Sequence, residues 1–330
     1  MPRVEVKNLG ALEGHGDEVT CLSWSPDGRY LASSSYDRTV RVWDVERKSV
    51  VRVFRRHRDI VDCVAWSPSG RYLASGSVDR TVRIWNWERG AKRAKIIRDL
   101  WSAPSRMIWS YDSRYLAIKA GKVFVYDVRR GRFVSSFRCS HGLMPYYFFW
   151  LPNSYRIIGQ CGYSVTGYDV VVWDVLSGVV LESFRPGGFE DFRLSSLSPD
   201  GRYITLKKGC DLCLFDLRGR EVVWCFSSFR PEVAPDYSEL TRDDLYTSEP
   251  IFFNVASVSW SPDGKFIAVS GADSSLRILD ASNGGVLFDT GPQGNLSMVI
   301  SWSPSGKYIA DFAPSFEYRE IWLWEVILDH

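Results

Sequence analysis

Apolar positions in this chain come in short runs of aromatic and β-branched residues, and a polar turn ends each run. The first unit sets the order: Glu18 to Trp24, the turn Ser25-Pro26-Asp27-Gly28, Arg29 to Ser34, Thr39 to Asp44, and an outer run near Val50 to Phe54. Runs this short, bounded by turn residues, read as strands. The turn has a mechanism of its own. Proline presets φ, aspartate bonds its own backbone and glycine allows positive φ, so the flanking runs form a hairpin.

The unit recurs along the whole sequence. WSPDGRYLA at Trp24 returns as WSPSGRYLA at Trp66, WSYDSRYLA at Trp109, WLPNSYRII at Trp150 and LSPDGRYIT at Leu197. It returns again as WSPDGKFIA at Trp260 and WSPSGKYIA at Trp302. A second signal follows each copy: Val40-Arg41-Val42-Trp43-Asp44, then Val82 to Asn86, Phe124 to Asp127, Val171 to Asp174, Leu214 to Asp216, Arg277 to Asp280 and Trp322 to Glu325. Seven such pairs in phase resemble the WD-repeat β-propeller family, and the resemblance covers nearly all of the chain. It implies an all-β fold, a seven-bladed β-propeller of four-stranded antiparallel blades, as one domain over 1–330. The last unit stops short of a fourth strand. The lone run Val4 to Leu12 is expected to supply it, closing the ring and removing its free edges.

The resemblance also assigns two residue sets. His15, Ser33, Asp37 and Trp43 match the family's structural hydrogen-bond tetrad, as do His57, Ser75, Asp79 and Trp85. A Ser-His-Asp set invites a catalytic reading, but its recurrence in register favours a network that stiffens each blade. Unit four keeps His141, Asp169 and Trp173 but carries Ile158 at the hydroxyl position. Units three, five and seven lack the histidine and are expected to rely on packing. No nucleophile elbow, phosphate loop or metal constellation is seen, so the expectation is a non-enzyme without cofactor or metal.

Loop lengths vary on one face. The interval between the second- and third-strand aromatic positions is 13 residues in units one, two and six, but 18 in unit four. The interval from Phe215 to Trp260 is 45 residues, against 23 or 24 between other units. An acidic insertion at about 231–250, with Asp243 and Asp244, accounts for the excess, and Asp236 or Ser238 could cap a short helix there. The glycines of Gly159 to Tyr168 suggest a flap. Tyr36, Arg38, Val78, Arg80, Tyr163, Tyr168, Asp243 and Asp244 are therefore the candidate partner-binding residues of a protein-interaction scaffold.

Charge adds an alternative. Residues 1–150 hold 27 Lys and Arg against 15 Asp and Glu, whereas residues 151–330 hold 14 against 24. Arg55, Arg56, Arg58, Arg93 and Arg98 would form a phosphate-binding rim for RNA or a ribosomal partner, with Trp87 and Trp101 as candidate stacking rings. The same asymmetry would suit head-to-tail self-association. No apolar run is long enough for a membrane span, and MPRVEVKNLG carries no signal-peptide core, so a cytoplasmic location is expected. Scarce amides, 8 Asn and Gln in all, hint at a thermophilic source, which would leave intracellular disulfides open. Cys21 and Cys63 read as core residues, and Cys210 to Cys213 as a structural C-x-x-C without a second ligand pair.

Overall fold

The computed structural model describes residues 3–89, 94–98, 100–139, 145, 147–163, 167–187, 192–209, 211–227, 255–271, 275–291, 299–312 and 319–329. These residues form 28 strands and no helix. The strands build seven four-stranded antiparallel sheets. Blade one runs Val19–Trp24, Tyr30–Ser35, Val40–Asp44 and Ser49–Phe54 in spatial order. First strands of successive blades touch one another all the way round, from blade one to blade seven and back. The ring is therefore closed, with the first strands innermost.

Closure comes from the N-terminus. Blade seven orders Val299–Trp302, Tyr308–Phe312 and Ile321–Asp329, and Arg3–Leu12 completes it. Val4 lies opposite Leu328 and Leu12 opposite Ile321.

Local chemistry explains the repeating hairpin. Ser25 Oγ donates to Asp27 Oδ1 at 2.5 Å and accepts the Tyr30 N–H at 2.8 Å. The same clasp recurs at Ser110, Ser198 and Ser261. The arginine after the turn reaches the aspartate that ends the third strand, pairing Arg29 with Asp44, Arg114 with Asp127 and Arg202 with Asp216. That aspartate also caps the next turn, as when Asp44 Oδ1 accepts the Arg47 N–H. Tryptophan and aspartate thus divide the work: the ring packs and the carboxylate ties two turns together.

Apolar surface is buried between blades. Ala32 and Val42 of blade one pack with Val64, Trp66 and Leu73 of blade two. Indole N–H groups stitch neighbours further: Trp24 to the Ser301 carbonyl at 3.1 Å, Trp109 to Ala65 at 3.0 Å and Trp150 to Ile108 at 3.2 Å. Fully buried Gln160 clamps blade four to blade five, donating to the Phe192 carbonyl and accepting the Leu194 N–H.

One blade junction depends on a missing side chain. Gly201, in the turn of blade five, has φ +71°, and a Cβ there would stand 2.5 Å from Pro152 Cδ of blade four. Gly201→Ala combines left-handed strain with overpacking and should cost about 2–3 kcal/mol. A thermal melt within error of the parent protein would contradict this.

The antiparallel order places the first and third turns of every blade at one end of the ring. The second turns and the inter-blade connections lie at the other. Unit four departs from the expected flap. Its extra residues lengthen two strands, Arg156–Tyr163 and Gly167–Asp174, which stay paired as far as Tyr163 opposite Gly167. Among the described residues two disulfides are present: Cys139–Cys161 between blades three and four, and Cys213–Cys225 across one strand pair of blade five. Cys213 is thus linked to Cys225, while Cys210 lies outside the described residues. So do the acidic insertion, with Asp243 and Asp244, and His141.

Candidate functional site

The two tetrads are hydrogen-bonded chains. His15 Nδ1 is 2.8 Å from Asp37 Oδ2, His15 Nε2 is 2.7 Å from Ser33 Oγ, and Trp43 Nε1 donates to Ser33 Oγ at 2.8 Å. The second set repeats this, at 3.0 Å from His57 to Asp79, 2.8 Å from His57 to Ser75, and 3.3 Å from Trp85 to Ser75. One proton arrangement satisfies every member. Neutral histidine donates from Nδ1 to the carboxylate, and the serine hydroxyl donates to Nε2 while accepting the indole N–H. Burial, acting against the pull of the aspartates, holds both imidazoles below their ordinary value, which keeps them neutral. Burial alone would raise the Asp37 carboxyl. Hydrogen bonds from His15, Thr39 and the Gly16 N–H outweigh it and hold Asp37 well below the usual carboxylate range. Ser33 and Ser75 are fully buried, so neither hydroxyl faces a substrate.

The other blades solve the same problem differently. In blade four the buried Trp173 N–H has no acceptor among the described residues, and Asp169 pairs with Arg185. The sequence reading of Ile158 as the hydroxyl position is corrected by the register: Ile158 lies opposite Val172, and Gly159, opposite Val171, stands where Ser33 stands opposite Arg41 in blade one, so no side chain there can accept the indole. In blade seven Asp311 takes that place and accepts the Trp324 N–H at 2.6 Å. The sequence leads one to expect a greater reliance on packing there. The corresponding residue is a carboxylate, and it keeps the indole bonded.

On the loop-bearing face, the second turns of blades one and two present matched pairs. Tyr36 is 41% exposed and Val78 39%, and exposed Arg38 and Arg80 follow them at φ +66° and +61°. Each turn is tied to the preceding connection, Tyr36 N–H to the Glu18 carbonyl and Val78 N–H to that of Ile60. Tyr168 does not join this surface. It is 4% exposed and packs edge-on against Phe192, because the lengthened hairpin of blade four turns it into the blade four–five core. Tyr163 lies on the backbone of that hairpin, its side chain outside what is described, as is Arg93.

Arg55, Arg56, Arg58 and Arg98 are all exposed. Trp87, a candidate stacking ring, is half-buried against Trp66 and Tyr30 with Arg52 over its ring. Trp101 is 62% exposed. A shallow cleft of ≈ 170 Å³ between the turns of blades one and two, lined by Pro26, Trp66 and Trp87, lies on the opposite face. It is smaller than the roughly 300–1,000 Å³ of small-molecule sites.

Comparison with known proteins agrees with this geometry. Residues 6–44 and 48–86 match the model "WD domain, G-beta repeat", and residues 252–305 match the anaphase-promoting complex subunit 4 WD40 domain. WD repeat-containing protein 18 of Homo sapiens is 55% identical over 40 residues, 12% of this chain and 9% of that protein. The probable cytosolic iron-sulfur protein assembly protein CIAO1 homolog of Chlamydomonas reinhardtii is 57% identical over 35 residues, 11% of this chain and 10% of that protein. The matches thus span about a tenth of those relatives' length. A solved structure titled "Structure of U3-55K" superposes with a TM-score of 0.75 over 98% of both chains at 17% identity, a likeness of fold. Repeat identity at the two ends and seven closed blades between them place the chain in the WD-repeat β-propeller family.

Proposed function

We propose that this propeller is a non-catalytic scaffold that holds partner proteins on its loop-bearing face. The observation that carries the reading is the repeated turn of blades one and two. Tyr36 and Val78 offer apolar contacts, and Arg38 and Arg80 are held beside them in a left-handed conformation that costs a non-glycine residue about 1 kcal/mol or more. Strain kept at exposed positions in two blades points to use rather than to stability. That a relative is named as an assembly protein supports the reading at the level of class.

The test follows from the strain. Replacing Arg38 and Arg80 together by glycine should leave the melting temperature unchanged or raised, since glycine accepts that φ. It should also cut capture of a native partner about tenfold or more, as expected for arginine anchors worth at least ~1.4 kcal/mol. Undiminished capture by a folded double variant would remove this face from the reading.

A further inference from the structure

Blades one to three gather cations that are scattered in the linear sequence. Arg83 lies on Val82–Asn86, flanked by Ser75 on one neighbouring strand and Ile96 on the other. Its Nε is buried and has no hydrogen-bond partner among the described residues. His57 bonds to that same Ser75, and this brings exposed Arg56 and Arg58 alongside. Exposed Arg98 follows Ile96 by two residues on the other flank. All three arginines act on the Arg83 guanidinium, which burial first and then these like charges hold below its ordinary value. Asp79 opposes them, but its oxygens are already committed to His57, Thr81 and the Arg58 N–H.

Beside this cluster stands the most exposed large apolar side chain among the described residues, Trp101. It is three residues from Arg98, so their Cα atoms lie within about 11 Å. Lys122 Nζ and the Arg138 guanidinium each sit 4.6 Å from its ring centroid, and Phe124 holds its edge at 6.2 Å. Arg56, Arg58, Arg83, Arg98, Lys122 and Arg138 form no ion pair with a described carboxylate. Such like charges repel at separations below the Debye length of about 8–10 Å, and a bound polyanion relieves that repulsion.

We propose that this part of the loop-bearing face binds single-stranded nucleic acid, with phosphates at Arg56, Arg58, Arg83 and Arg98 and an unpaired base stacked on Trp101. A basic track beside a rigid exposed aromatic is the chemistry that single strands require. An acidic peptide would use the cations and leave the indole idle. A duplex hides its base faces and offers the ring nothing to stack on. This surface adjoins the Val78 and Arg80 turn, where Asp79 accepts the Arg58 N–H, but it uses different side chains, so substitutions at Arg56, Arg98 and Trp101 test it without altering Tyr36, Arg38, Val78 or Arg80.

The probes are labelled oligouridylate and oligothymidylate of about 12 nucleotides, inorganic polyphosphate of similar charge and a polyglutamate peptide, titrated by anisotropy or competition. Both oligonucleotides should bind the full chain at low salt and weaken about 50-fold between about 50 and 200 mM, the slope for four phosphates on a single strand. Arg56→Ala with Arg98→Ala should halve that logarithmic slope. Trp101→Ala should weaken oligonucleotide binding about tenfold and leave polyphosphate binding unchanged. These are surface substitutions, and an unchanged melting temperature shows that each variant is folded. Three results would overturn the proposal: no oligonucleotide binding at low salt, equal losses for polyphosphate and oligonucleotide in Trp101→Ala, or tighter binding of polyglutamate than of either oligonucleotide. Preference for one oligonucleotide supports the proposal and identifies the sugar that is read.

Discussion

Asp311→Asn stabilises the protein at pH 8 and leaves it almost unchanged near pH 4. Asp311 is 5% exposed, and among the described residues its carboxyl accepts one hydrogen bond, from Trp324. Burial pushes its carboxyl from 3.8 up to about 7. The sign follows from linkage. The folded state keeps the Asp311 proton up to about pH 7, whereas the unfolded chain gives it up near pH 4. Stability tied to this group is therefore complete below pH 4 and lost as pH rises to 7. The loss is of the order of 3–4 kcal/mol, a few degrees of melting temperature. Asparagine cannot ionise, yet it still offers Trp324 an acceptor. Histidines 15 and 57, held neutral by burial, act oppositely and destabilise the fold as pH falls below 6.5. Both proteins share them, so the difference between parent and variant melts over pH 4 to 8 isolates Asp311. A gain of the same size at every pH would show that the buried charge is not its source.

Opening the Cys139–Cys161 disulfide should cost about 3 kcal/mol, the chain-entropy value for a closed loop of 22 residues. The bond follows the outer strand of blade three and fastens it to the second strand of blade four, within an apolar cluster that includes Phe148, Val171 and Trp173. Its loss releases one blade from the next. Cys213–Cys225 spans 12 residues and joins strands already paired in one blade. Cys139→Ala should lower the denaturant midpoint, and a reducing agent should then lower it little further. If reductant leaves the parent midpoint in place while mass spectrometry shows free thiols, the bond contributes nothing.

What the sequence revealed and what it concealed divide along a physical line. The Ser25 clasp closes within five residues, and identical turn chemistry made the repeats and their count readable. The tetrads were readable because residue type and spacing both matched a family pattern. Asp311 went unrecognised because an aspartate replaces a serine there, and its meaning depends on a tryptophan 13 residues away and on burial from both sides. Cysteine identity does not fix connectivity, so Cys139–Cys161 needed coordinates. Tyr168 was misplaced because extra residues between strands can extend the strands themselves instead of forming a loop. Arg83 was overlooked for a related reason: the partners that define it, Ser75 and Ile96, are neighbours only across a sheet.

The strand Arg3–Leu12 finds its sheet neighbour only in Ile321–Asp329. During synthesis the edge of Arg3–Leu12 therefore stays bare until Ile321–Asp329 has been made. Six blades can assemble as their residues emerge. The seventh cannot, and the wheel has no closed form before that strand has left the ribosome.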